Sequence, residues 1–131
     1  MSNLGSDMRA ALAGLFAGSA ASAFASPFNL RFGGGYTRDG VTGEPTPGSN
    51  GYARPSITPA NLVASVGLET TVTLNQGVSV GPFTASLGTQ RAVSLHDANG
   101  KCLAAGPITA LVFDNGATRS IAAGAITVTL A

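Results

Sequence analysis

The chain has 131 residues, room for one compact domain but hardly two, and only 10% of them are charged, against about 25% in an ordinary globular domain. Seven Lys and Arg face six Asp and Glu, so the concentrated positive surface that wraps a phosphate backbone is missing and nucleic-acid binding is disfavoured. With 44% apolar residues and β-branched residues in short runs the composition is that of a folded protein, while a surface so poor in solubilising charge hints that partners cover part of it.

Residues 1–26, MSNLGSDMRAALAGLFAGSAASAFAS, hold the parts of a secretory signal: Arg9 ahead of an apolar stretch, and Ala23-Phe24-Ala25 as a small-x-small cleavage site. Asp7 in a region that should be positive argues against that reading, as do Gly14, Gly18 and Ser19 inside the apolar stretch. The stretch is also too short and too poor in large residues to span a membrane. We read a retained amphipathic helix capped by Ser6 or Asp7, with Met8, Leu12, Leu15 and Phe16 on one stripe. Leu12 and Phe16 are its candidate interface residues.

From Pro27 onward the pattern is β structure with turn punctuation. Phe28, Leu30 and Phe32 alternate with Asn29 and Arg31, the period of a half-buried strand. Gly33 to Gly51, rich in Gly, Pro and Asp, reads as one long loop, and a loop of that length is functional or draped on a partner. Tyr36, Asp39 and Glu44 lie in it as candidate contacts. In GYARP, Gly51 leaves the loop at unusual dihedrals and Pro55 biases Arg54 towards extended geometry. Tyr52 and Arg54 then share a face: the ring can anchor in the core edge while the guanidinium grips a carboxylate of the loop, Asp39 or Glu44.

Val72 and Leu74 alternate with Thr71 and Thr73 ahead of a hairpin signal at Asn75-Gln76-Gly77. Asn99-Gly100 is the strongest hairpin signal in the chain, and Asn115-Gly116 a further one. At the end, Ile126, Val128 and Leu130 face one way and Thr127 and Thr129 the other. About seven short strands with no helical pattern between them make the fold all-β: one β-sandwich or jelly-roll-like small barrel over 27–131, carrying the long loop 33–51 and preceded by the 1–26 arm.

Chemistry-bearing constellations are scarce. Cys102 is the only cysteine and reads as a small buried hydrophobe; His96, six residues away, is also alone, and the two flank the turn Asp97-Ala98-Asn99-Gly100. Gly33-Gly34-Gly35 lacks the lysine and the helix of a phosphate-binding loop. The six carboxylates, Asp7, Asp39, Glu44, Glu69, Asp97 and Asp114, are scattered through turns, without the facing pair of a glycosidase or the dense oxygen spacing of a calcium site. The expectation is a protein that is not an enzyme, with no cofactor and no metal.

Four stretches carry a resemblance: Gly51-Tyr52-Ala53-Arg54, Leu103 to Thr109, Asn115-Gly116-Ala117-Thr118, and Ala123 to Leu130. Together they resemble a family of small tailed-bacteriophage virion proteins, labelled variously as tail fibre, minor tail or capsid-associated protein. The resemblance spans most of the chain but not Asn61 to Glu69. It implies a non-enzymatic structural role in a virion and a sandwich or jelly-roll-like domain. The leading expectation is a capsid cement (decoration) protein on the head surface, partnered by the major capsid protein and by copies of itself in a dimer or trimer, with no membrane and no nucleic acid bound. The alternatives are a tail or tail-fibre component, and an exported carbohydrate-binding β-sandwich whose first 25 residues are cleaved.

Overall fold

A computed structural model describes residues 5, 7–9, 24–58, 61–65 and 70–130. Eleven strands follow one another: β1 (Phe28–Gly33), β2 (Gly35–Thr37), β3 (Gly40–Thr42), β4 (Ser56–Ile57), β5 (Leu62–Ser65), β6 (Thr70–Leu74), β7 (Val78–Val80), β8 (Gly88–His96), β9 (Cys102–Phe113), β10 (Arg119–Ile121) and β11 (Thr127–Leu130). All pairing is antiparallel, in four sheets ordered β4-β1-β8-β9, β11-β6-β5, β10-β7 and β2-β3. The fold is all-β and sandwich-like, and among the described residues no sheet closes into a barrel. Ahead of the strands, Asp7–Arg9 form a short helical turn, whereas Leu12, Leu15 and Phe16 lie outside the described residues. Asp7, expected as a cap, instead accepts the backbone N–H of Cys102 at 3.1 Å.

The alternation in β1 explains the layering. Leu30 and Phe32 point to one side of the sheet and are 2% and 1% exposed, packing with Val93 and Leu95 of β8 against Leu74, Val80 and Ile121. Phe113 lies in the middle of the aromatic core, stacked on Phe83 at 4.4 Å between ring centroids and edge-on to Phe32 at 5.5 Å. Fully burying one such ring contributes about 1.5–3 kcal/mol. The opposite face of the sheet, with Ser94 and His96, is buried as well, which the alternating pattern of a one-sided sheet does not announce.

Three turn readings met different fates. Asn99-Gly100 closes the β8–β9 hairpin, where His96 pairs with Cys102 and Gly100 takes φ +86°. Asn75-Gln76-Gly77 is no hairpin: β5 and β11 already occupy both edges of β6, so the chain crosses over and β7 pairs with β10. Asn115-Gly116 is a turn, held by Gly116 N–H to Phe83 O at 2.7 Å and Phe83 N–H to Ala117 O at 3.0 Å. It too joins strands of different sheets, β9 and β10.

The reading of 33–51 as one loop is corrected. Gly33 still belongs to β1, and the segment folds back as the β2–β3 hairpin, with Gly35 opposite Thr42 and Thr37 opposite Gly40. Composition hid it because three-residue strands of Gly, Tyr, Thr and Val are too short for a period-2 signal to stand out. Its stability comes from what it lies on. A Cβ on Gly33 would sit 2.4 Å from Thr42 O, and one on Gly40 2.9 Å from the His96 ring, so only glycine lets the hairpin come this close to the sheet.

Candidate functional site

Three sets of contacts pin the β2–β3 hairpin and the chain that follows it. The first lies beneath it. Val41 N–H donates to Ser94 Oγ at 3.3 Å, and Ser94 Oγ is 2.8 Å from His96 Nε2. His96 Nδ1 lies 3.1 Å from Gly100 O; a carbonyl only accepts, so Nδ1 carries the proton and Nε2 accepts from the serine hydroxyl. Burial lowers the His96 pKa; the Gly100 carbonyl works the other way, and the nearby Arg31 and Arg54 guanidiniums add to the lowering. A serine and a histidine so arranged are the halves of a nucleophilic pair, but both are at most 2% exposed and roofed by the hairpin. Here they serve as a backbone tie.

The second set is the carboxylate knot. Where β4 peels away from β1, the backbone N–H of Phe32 finds no strand partner and donates instead to the Tyr52 hydroxyl at 3.1 Å. That hydroxyl donates to Glu44 Oε2 at 2.8 Å. Arg54 closes the knot with its fork, Nε to Oε2 at 2.9 Å and Nη2 to Oε1 at 2.8 Å, a bidentate pair of the strong kind. Burial alone would raise the Glu44 pKa, but the bonds from Arg54 and Tyr52 outweigh it and the net shift is downward. Burial, with Glu44 at its hydroxyl, holds Tyr52 well above the usual phenol range. Of the two carboxylates that sequence offered to Arg54, the structure brings Glu44; Asp39 sits at the exposed hairpin tip, its N–H bonded to Thr37 Oγ1.

The third set fixes the entry to GYARP. Thr84 N–H donates to Asn50 O at 2.9 Å, and Gly51, at φ +76°, passes so near the next loop that a Cβ would fall 2.0 Å from Pro82 O. What these ties hold up is an exposed edge: Tyr36, Thr37, Arg38 and Asp39 are all exposed, and Tyr36, 47% exposed, is the one strongly exposed aromatic among the described residues.

A residue missed by sequence reading is Asp97. It has no exposed surface, and its carboxylate accepts from the N–H groups of Ala25, Asn99 and Lys101 at 2.8–3.1 Å. Burial opposes the charge, yet those three donors prevail and its pKa is lowered. The position directly before Ala-Asn-Gly was the available signal, because Asp at such a turn commonly bonds the backbone two residues on. Cys102 is 2% exposed, as the sequence suggested, and burial, then Asp7 and Asp39, push its thiol up to about 11. Among the described residues no group of three or more His, Cys, Asp or Glu is placed to hold a metal ion, and no helix is long and apolar enough to cross a membrane.

No family model, no curated protein and no solved structure matches this chain.

Proposed function

We propose that this is a non-enzymatic structural protein of a tailed-bacteriophage virion, a cement protein on the head, whose contact element is the β2–β3 hairpin. The observation that carries the reading is the construction of that hairpin: an exposed Tyr36–Asp39 edge mounted on buried and half-buried polar ties. A binding surface fixed in advance loses little ordering entropy on docking. A cement protein needs that economy, because it gains by adding modest interfaces over many copies and by binding the assembled shell in preference to free subunits. A glycan-binding or receptor-binding surface would call for several exposed aromatics, and the described surface presents one.

The test is a pair of measurements on purified particles. Electron microscopy should place many copies on the head; a handful of copies at the tail overturns the reading. Tyr36→Ala combined with Arg38→Ala should release the protein from particles without changing its melting curve. Deleting 33–51 outright would be a poor probe, since it removes Glu44 from Arg54 and uncovers His96.

A further inference from the structure

We propose that the β2–β3 hairpin is an acid-released lid: a proton taken up by His96 breaks the tie that holds Val41 on the sheet, and the exposed Tyr36–Asp39 edge loses its mounting. The device turns on the hydrogens around one oxygen. Ser94 Oγ sits between Val41 N–H at 3.3 Å and His96 Nε2 at 2.8 Å. It accepts from the first and donates its own proton to the second, because Nδ1 holds the ring proton against Gly100 O at 3.1 Å.

A second proton on the ring goes to Nε2, the nitrogen that carries none. Three hydrogens then meet at Ser94 Oγ: those of Nε2–H, of Val41 N–H and of the hydroxyl itself. The hydroxyl proton has lost its acceptor, and Ser94 is 1% exposed, so solvent does not replace it while the hairpin is down. A buried donor without a partner is costly. The hairpin also leaves the charge no room for water or an anion, since a Cβ on Gly40 would lie 2.9 Å from His96 Cε1 and Nε2. Lifting Val41 off Ser94 admits water and satisfies all three donors.

The groups around the ring offer the new charge no partner. Arg31 of β1 and Arg54 of the chain after the hairpin are of the same sign, and Glu44 is already engaged by Arg54 and Tyr52. In the turn after β8, Asp97 is engaged by the N–H groups of Ala25, Asn99 and Lys101, and Lys101 is itself a cation. On β9, Cys102 stands opposite His96 as a neutral thiol, and Asp7 beside it accepts the Cys102 N–H. Asp39 is exposed at the hairpin tip.

Burial first, with Arg31 and Arg54 behind it, keeps the His96 pKa below the ordinary 6.5 while the lid is shut. With the lid lifted, water reaches the ring and the ordinary value returns. Proton uptake therefore favours the lifted form, by up to about tenfold per pH unit below 6.5. The carboxylate knot does not respond in that window, because the Glu44 pKa lies below 4.5. The chain after β3 thus stays anchored while Val41 comes free, which makes the event a lift and not an unfolding. That the lift weakens a particle contact rests on the proposed function; the lift itself does not.

Hydrogen exchange on the isolated chain decides it, followed amide by amide by NMR at pH 7, 6 and 5, with and without a low concentration of guanidinium chloride. Protection is taken relative to an unstructured amide at the same pH. Val41 N–H should lose protection by up to about tenfold per pH unit below 6.5 and should ignore the denaturant, because a local lift exposes little surface. Val93 N–H, in the middle of β8, should stay better protected and should respond to the denaturant. His96→Gln, which takes no charge, should hold Val41 protection level over the range, and Ser94→Ala should leave it low throughout; the wild-type comparison stands if either variant fails to fold. A Val41 amide with the same protection at pH 7 and 5 overturns the proposal. So does one that exchanges only together with Val93, with the same dependence on denaturant, or a pH dependence that survives His96→Gln.

Discussion

Removing the hydroxyl of Tyr52 tests whether the carboxylate knot holds the fold together or merely decorates it. Tyr52→Phe keeps the ring, which is 1% exposed and lies 6.2 Å from Phe113 between centroids, so packing is preserved and only two hydrogen bonds disappear. One loss strands the Phe32 N–H, in a residue that is 1% exposed; a buried donor left without a partner costs about 1–3 kcal/mol. The other removes a donor from Glu44, which keeps the Arg54 fork and some solvent, so that loss is on the order of 1 kcal/mol. Together they amount to about 2–4 kcal/mol. At roughly 3–5 °C per kcal/mol for a chain of this size, melting should fall by on the order of 10 °C. Urea unfolding followed by circular dichroism reads the effect, and a cycle with Arg54→Met separates the tyrosine from the guanidinium. A Tyr52→Phe protein within about 0.5 kcal/mol of wild type, inside the range of ordinary surface changes, would refute the reasoning: Phe32 N–H would then have another partner or water.

Two further predictions use the glycines and the pH dependence. Gly51→Ala and Gly116→Ala both place a side chain at positive φ, but only the first meets an obstacle, Pro82 O at 2.0 Å, while nothing lies within 4 Å at Gly116. Gly116→Ala should cost about 1–2 kcal/mol and Gly51→Ala clearly more; equal losses on chemical denaturation would contradict the close approach. His96, its folded pKa lowered by burial, binds a proton more readily unfolded than folded. Stability should therefore decline as pH falls below the ordinary histidine value of 6.5, by at most about 1.4 kcal/mol per pH unit. Glu44 and Asp97, with lowered pKa values, lose their contributions only as pH falls below their ordinary values of 4.5 and 3.8. The two windows are separable by melting curves at pH 7, 6, 5, 4 and 3, and His96→Gln should flatten the upper one; a slope that survives the substitution rules His96 out.

The strand alternation of Phe28 to Phe32 and of Ile126 to Leu130, with Asn99-Gly100, made the all-β class legible, because burial on one face and turn chemistry are local properties. Tyr52, Arg54 and Glu44 could be proposed as neighbours for a similar reason: eight to ten residues separate them, and one turn of chain brings them together. What sequence could not show was pairing between distant strands. β10 finds β7 and β11 finds β6, so Asn75-Gln76-Gly77 and Asn115-Gly116 carried turn chemistry without hairpin topology. The hairpin inside 33–51 was hidden by its three-residue strands, too short for alternation to stand out, and the surface that holds it, Ser94 and His96, lies far along the chain.

Charge is the property of this chain whose role is least readable locally. Carboxylates scattered in turns are usually solvated, yet Asp7, Glu44 and Asp97 all bind donors inside the fold, and only Asp39 and Asp114 among the described carboxylates are exposed without such a role. Arg31 and Arg119 likewise reach for Asn29 Oδ1 and Val112 O. In a chain with 10% charged residues, glycine-rich connections leave backbone N–H and C=O groups that short strands cannot satisfy, and ionised side chains are the strongest partners available to them. Charge spent inside is absent outside. The uncharged β9 and the tightly held hairpin are thus two consequences of one economy: the same scarcity that locks Glu44 between Tyr52 and Arg54 leaves the longest strand without a single charged side chain.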